Sequence, residues 1–141
     1  MKKFELTAEF VTNVFGKKLF RIKALVAFGN VEKGELGGFI EKEDNLSHDD
    51  NAWVYGNAWV YDNARVYDNA DYAVVTGFGR YFRATTFFRC KDKIIRVQCG
   101  CFYGDLAQFR EIVKKTHGDS KYAKEYLAIA DLMELHFSDE Y

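Results

Sequence analysis

Residues 51–70 read NAWVYGNAWVYDNARVYDNA, a six-residue phrase given three times and begun a fourth. A helix turns by about 100° per residue, so equivalent positions six apart would scatter around its axis and no amphipathic face would result. A strand alternates every second residue, and an even period keeps each sub-position on one side. Ala52 and Val54 then share one face, and Trp53 and Tyr55 the other. The pairs Gly56-Asn57, Asp62-Asn63 and Asp68-Asn69 tolerate left-handed backbone angles and separate tetrads rich in Val, Tyr and Trp. The repeat is a strand repeat: four extended residues, then a corner of two.

Small-x-aliphatic tetrads at this period resemble the left-handed parallel β-helix of hexapeptide-repeat proteins, in which three hexads close one triangular coil. The resemblance implies that Ala52, Ala58, Ala64, Val54, Val60 and Val66 point inward. It also implies stacking at eighteen residues, with Asn51 under Asn69, Ala52 under Ala70 and Val54 under Tyr72. The earlier GGFI fits the same pattern if two residues near SHDD bulge at a corner, which sets Gly38, Phe39 and Ile40 beside Ala58, Trp59 and Val60, and Leu46 beside Val66. The expected fold is therefore mainly β with C-terminal α: a short left-handed parallel β-helix of about two coils over residues 36–76. An N-terminal β-hairpin within 1–35 and a C-terminal ββαα unit over 77–141 flank it, all in one compact domain. The lead-in KGELGGFIEKEDNLS, the N-A-x-V-Y-[GD] array and the tail CGCFYGDLAQFREIVKKTHGDSKYAKEYLAI together resemble small proteins encoded by phages and other bacterial mobile elements.

The flanks have their own signals. KFELTAEF and LFRIKALVAF alternate about a turn at Asn13 to Lys18, with Phe20, Ile22 and Ala24 set against Arg21 and Lys23. RYFRATTFFR and KIIRVQCGCF read as two further strands joined at Lys91-Asp92. Asp105 with Gln108 three places on predicts a capped helix whose apolar face holds Phe109, Ile112 and Val113. Gly118 ends it, and a second helix over about 119–137 carries Tyr122, Tyr126, Ile129, Leu132 and Met133. Two coils leave both ends of a solenoid open, so the flanks read as its caps.

With 141 residues the chain is one domain's worth. Its apolar runs are too short to span a bilayer, MKKFELTAEF lacks the apolar stretch of a signal peptide, and three cysteines at irregular spacing suit a reducing compartment. A cytoplasmic protein is expected, in the host cell if phage-encoded. Hexapeptide acyltransferases use a histidine base and related proteins hold zinc with three histidines. Here the histidines are His48, His117 and His136, and His48 sits among Asp49 and Asp50 in what reads as a solvated loop. Cys99 and Cys101 supply only two sulfurs for a metal site that wants four ligands; Cys90 and the other two cysteines read as small core residues. No catalytic residue, cofactor or metal is expected.

Two surface features remain. If Ala and Val point inward, Trp53, Tyr55, Trp59, Tyr61 and Tyr67 point outward, and exposed large aromatics in a contiguous patch mark interfaces. Residues 45–79 set Arg65 against Asp49, Asp50, Asp62, Asp68 and Asp71, whereas 80–96 set Arg80, Arg83, Arg89, Lys91, Lys93 and Arg96 against Asp92. That basic hairpin, interleaved with aromatics, has the ingredients of a nucleic-acid surface, or else complements the acidic repeat. The resulting expectation is a non-enzymatic macromolecule-binding accessory protein that binds through these aromatics and Arg80, Arg83 and Arg89. The resemblance to phage proteins implies a host or defence protein as the blocked partner, in the manner of an anti-CRISPR-like inhibitor, and the open apolar surfaces imply a homodimer. Nucleic-acid binding through 80–96 and a divergent acyltransferase-like enzyme are the alternatives.

Overall fold

The computed structural model describes all residues except 1, 14, 50, 68–70, 79–82, 101 and 139–141, together with all side chains of the described strands and helices save that of Arg83. The strands are β1 (Phe4–Thr12), β2 (Lys18–Ala24), β3 (Leu36–Ile40), β4 (Trp59–Val60), β5 (Tyr72–Phe78), β6 (Arg83–Arg89), β7 (Ile95–Cys99) and β8 (Phe102–Asp105), followed by helices α1 (Leu106–His117) and α2 (Lys121–His136). They form two four-stranded sheets, ordered β1-β2-β3-β4 and β5-β6-β7-β8.

β1 and β2 make the antiparallel hairpin read from the sequence, with Phe4 opposite Ala24 and Phe10 opposite Phe20. Its turn is held by Asn13, whose Oδ1 accepts from the N–H groups of Phe15 (2.9 Å) and Lys17 (3.0 Å). The helix ends also follow their signals, whereas Ile112 and Leu132, expected on the apolar faces, are exposed. The Asp105 carboxylate accepts from the Gln108 N–H, and the Gln108 side chain returns a bond to the Asp105 backbone. Gly118 closes α1 at a φ of 57° that favours glycine, and Ser120 caps α2.

The left-handed β-helix expected over 36–76 is not what forms. β3 and β4 pair in parallel at the edge of the first sheet, but Tyr72–Phe78 leave the repeat and become the edge strand of a second, antiparallel sheet. The physical reason lies in competition for that segment. A third coil side would offer it a short parallel register, whereas β6 offers an antiparallel ladder from Tyr72↔Phe88 to Phe78↔Arg83 built of aromatic and β-branched pairs. The C-terminal unit is accordingly four strands and two helices rather than ββαα. Three lateral neighbours drawn from the repeat do occur: Phe39↔Trp59, Ile40↔Val60 and the isolated parallel bridge Leu46↔Val66. The expected stacking of Asn51 on Asn69 and Ala52 on Ala70 lies outside the described residues.

Residues 63–66 join the two sheets. The Val66 N–H donates to Asn45 O (2.8 Å) and the Ser47 N–H to Val66 O (2.9 Å), while Ala64 bridges Cys90 and the Arg65 N–H donates to Arg89 O. The inward alanines and valines of the repeat are all buried, in one core with Phe4, Ile22, Ile40, Tyr72 and Phe88. A second core lies between the other face of β5–β8 and the helices, around Phe87, Val97, Phe109, Tyr126 and Met133.

Two details make the first core close. Gly37 and Gly38 approach the 53–58 segment so tightly that a Cβ on Gly37 would lie 2.5 Å from Val54 O and 2.8 Å from the Trp53 ring, and one on Gly38 would lie 2.8 Å from Ala58 O. Asn45 is fully buried with its amide saturated. Oδ1 accepts from the N–H groups of Glu41 (3.2 Å) and Lys42 (3.1 Å), and Nδ2 donates to the carbonyls of Asp62 (3.3 Å) and Ala64 (2.8 Å).

Two stability predictions follow from these contacts. Asn45→Leu should cost about 3 kcal/mol or more, because it leaves buried backbone groups unpaired at about 1–3 kcal/mol each. Gly37→Ala should cost about 1–3 kcal/mol through overpacking alone, since no unusual backbone angle is involved. Urea unfolding midpoints measure both, and an unchanged midpoint in either variant contradicts the corresponding contact.

Candidate binding surface and the cleft between the sheets

The expected outward aromatics divide. Trp53 is fully buried, edge-on to Phe28 (centroids 5.4 Å) and Phe4 (6.5 Å). Tyr61 is 1% exposed, packed on Tyr103 (5.1 Å) and Phe88 (5.7 Å), and burial pushes its phenol well above the ordinary range. Both assignments to the surface are therefore corrected: the hairpin covers one wall and the second sheet another, so those ring positions face protein instead of water. Trp59 is half-buried. Tyr55 and Tyr67 remain exposed, at 40% and 57%. Each is fixed by its backbone. The Tyr55 N–H donates to the Tyr72 hydroxyl (3.0 Å), which itself donates to Trp53 O (2.7 Å) and whose burial pushes its pKa up to about 12. The Tyr67 N–H donates to the Asp71 carboxylate (3.0 Å), and the Arg65 guanidinium lies 4.9 Å from the Tyr67 ring centre.

The basic hairpin is largely answered from within the chain. Arg80 lies outside the described residues, and Arg83 is placed only as the first residue of β6. Arg89 pairs with Asp71 (3.1 Å) and donates to Phe137 O (3.0 Å). Lys91 pairs with Asp44, which also takes Arg65 (3.1 Å), and Arg96 pairs with Asp92 (3.0 Å). Three of the cations of this hairpin are thus held by carboxylates of the chain, one of them Asp71 of the acidic segment, which weakens the case for a polyanion surface.

Sequence reasoning missed a cleft of about 250 Å³ lined by Asn57, Trp59, Ala84, Thr86, Gln98 and Gly100. It arises because one face of the second sheet is only partly covered. Alternation along β6 and its pairing with β5 and β7 put Tyr72, Phe88, Thr86, Val74, Ala84 and Gln98 on the same face. Tyr72 and Phe88 are in the core, but Val74 is 37% exposed and Ala84 half-buried, so that end stays open. Trp59 is tied to it by its N–H, which donates to the Thr86 hydroxyl (3.1 Å). Gln98 is 6% exposed and spends its Nε2 on Gly100 O (2.9 Å). The alternation of Ala84, Thr86 and Phe88 was visible in the sequence; where the first sheet stops covering it was not.

Groups with reactive potential are quiet. Burial pushes the Cys90 thiol up, away from the thiolate that nucleophilic chemistry needs. Cys99 accepts from the Thr85 hydroxyl (3.2 Å), and Cys101 lies outside the described residues. Among the described residues no group of three His, Cys, Asp or Glu side chains is placed to hold a metal ion, and no helix is long and apolar enough to cross a membrane. His48 is not the solvated loop residue that its neighbours suggested. Its ring stacks on Phe4 at 4.1 Å and 9°, Nδ1 accepts from the Lys3 N–H (3.0 Å), and Nε2 is buried without a hydrogen-bond partner. Burial lowers its pKa below the ordinary value; Lys3, Lys2 and Arg65 act in the same direction and Glu43 against it.

That depression carries a pH dependence. The unfolded chain takes up the His48 proton near the usual value of about 6.5 and the folded chain resists it, so stability is full above that pH and declines as pH falls below it. Protonation also turns Nδ1 from acceptor to donor, against the Lys3 N–H. Denaturation between pH 7 and 5 should show a larger loss in the wild type than in His48→Gln; equal slopes would remove this role.

No protein-family model, curated protein or solved structure matches the chain.

Proposed function

We propose that the chain is a non-enzymatic binding protein that docks a protein partner on Tyr55 and Tyr67, the members of the aromatic repeat that stay exposed. The observation that carries this reading is their presentation: each large ring is exposed while its backbone N–H is held by a side chain of the following segment. A main chain held in place has less entropy to lose on binding, which favours an exposed aromatic as an interface anchor. The resemblance to phage-encoded proteins favours a host protein, such as a defence component, as the partner. A second copy of the chain would use the same rings, and a homodimer is the simplest symmetric form. Nucleic-acid binding through residues 80–96 is disfavoured by the ion pairs of Arg89, Lys91 and Arg96. An acyltransferase-like activity is disfavoured by the packed environment of His48.

Tagged protein should retain a specific partner from host lysate, and the double variant Tyr55→Ala, Tyr67→Ala should lose it with at least a tenfold fall in affinity and a nearly unchanged melting temperature. Undiminished capture by that variant would exclude the surface. Trp53→Ala should instead unfold the protein, at about 3–5 kcal/mol for a buried aromatic. Light scattering at micromolar concentration should report a dimer that the same tyrosine pair weakens; a monomer there would leave only a foreign partner.

A further inference from the structure

The cleft between the sheets has a chemistry of its own, and neither Tyr55 nor Tyr67 lines it. Among the described residues none of its lining side chains is charged. Trp59, Ala84 and Gly100 supply its apolar lining, and Asn57, Thr86 and Gln98 its polar side chains. Gln98 is more than nine-tenths buried, and with Nε2 engaged by Gly100 O its Oε1 is left as an acceptor. Thr86 accepts from the Trp59 N–H and keeps its hydroxyl proton to donate. Asn57 sits exposed on the turn opened by Gly56, at a φ of 58°.

These properties narrow the occupant. A volume of about 250 Å³ lies under the roughly 300 Å³ at which drug-sized sites begin, so it takes one ring system rather than an extended cofactor. A sugar ring presents hydroxyls around its whole rim, more than the three polar side chains of the described lining, Asn57, Thr86 and Gln98, can answer. A planar heterocycle needs partners only along its edge and can lay a face against an indole. A phosphate would meet no cation among the described lining residues. We propose that this cleft binds the uncharged heteroaromatic ring of a nucleobase, presented as a free base or nucleoside, with Trp59 against the ring and Gln98, Thr86 and Asn57 reading its edge.

The probes are adenosine, guanosine, cytidine and uridine, their 5′-monophosphates, a short single-stranded oligonucleotide and glucose, each titrated against the full chain by calorimetry and by tryptophan fluorescence, to which Trp59 in the cleft contributes. At least one nucleoside should bind saturably, its monophosphate no tighter, and glucose not at all. Ala84→Leu fills the cleft without removing a hydrogen bond and should weaken binding at least tenfold; Asn57→Ala, on the exposed turn, should weaken it severalfold while circular dichroism and melting stay unchanged. Silence of all four nucleosides, binding unaffected by Ala84→Leu, or binding of the oligonucleotide alone would each overturn the assignment. Partner capture by the tyrosine surface is read separately, so a failure of one leaves the other standing.

Discussion

The buried amide of Asn45 is the constraint on which the first half of the molecule depends. One short side chain satisfies two donors on the segment leaving β3 and two acceptors on the corner at 62–64, so it fixes the spacing between chain segments that have no continuous ladder between them. Around it the corner is reinforced. The Asp62 N–H donates to the Glu41 carboxylate (2.8 Å), Asp62 adopts a φ of 58°, and its own carboxylate accepts from the Tyr103 hydroxyl (2.9 Å). A buried polar network of this kind specifies one arrangement because any slip leaves several groups unpaired at once.

Local signals in the sequence translated well because their physics is local. The Asp105 and Gln108 capping box, the Gly118 stop and the alternation of Ile22 and Ala24 depend on neighbours a few residues away, and each appears where expected. The six-residue period told which residues share a face and the hexapeptide resemblance implied that this face is the inner one; Ala52, Val54, Ala58, Val60, Ala64 and Val66 are all buried. It could not tell what lies across the opposite face. Alternation reports two sides of a strand, and a side is solvent or protein according to what packs there from elsewhere. Phe4 and Phe28 cover Trp53, and Phe88 and Tyr103 cover Tyr61, all from segments distant in the chain. Repetition suggested that every hexad would do the same thing, whereas the choice of Tyr72–Phe78 to pair with β6 ended the pattern.

The candidate cleft was illegible for the same reason. Its lining comes from a corner of the repeat and from the middle of two later strands, and only the relative extent of the two sheets brings Trp59 to Thr86 and Gln98. Charge was legible as a pattern but not as a function. The two stretches meet in the pair of Asp71 with Arg89, and Asp44, just before the acidic stretch, takes both Arg65 and Lys91.

The first core joins Phe4 to Phe88 and Cys90, and Phe15 at the hairpin tip meets Tyr103 edge-on at 5.7 Å. During synthesis this has a direct meaning. A nascent chain that has released its hairpin and its whole aromatic repeat still lacks β6 and β8, and with them Phe88 and Tyr103, the rings that cover Tyr61. Contacts of such long sequence separation form late and slowly. Until β6 leaves the ribosome, the repeat is a stretch of alternating aromatic and aliphatic residues with open edges, the kind of segment that other chains can pair with. The turn pairs Gly56-Asn57 and Asp62-Asn63 interrupt it every six residues, and in that interval they limit the length of strand any neighbour could capture.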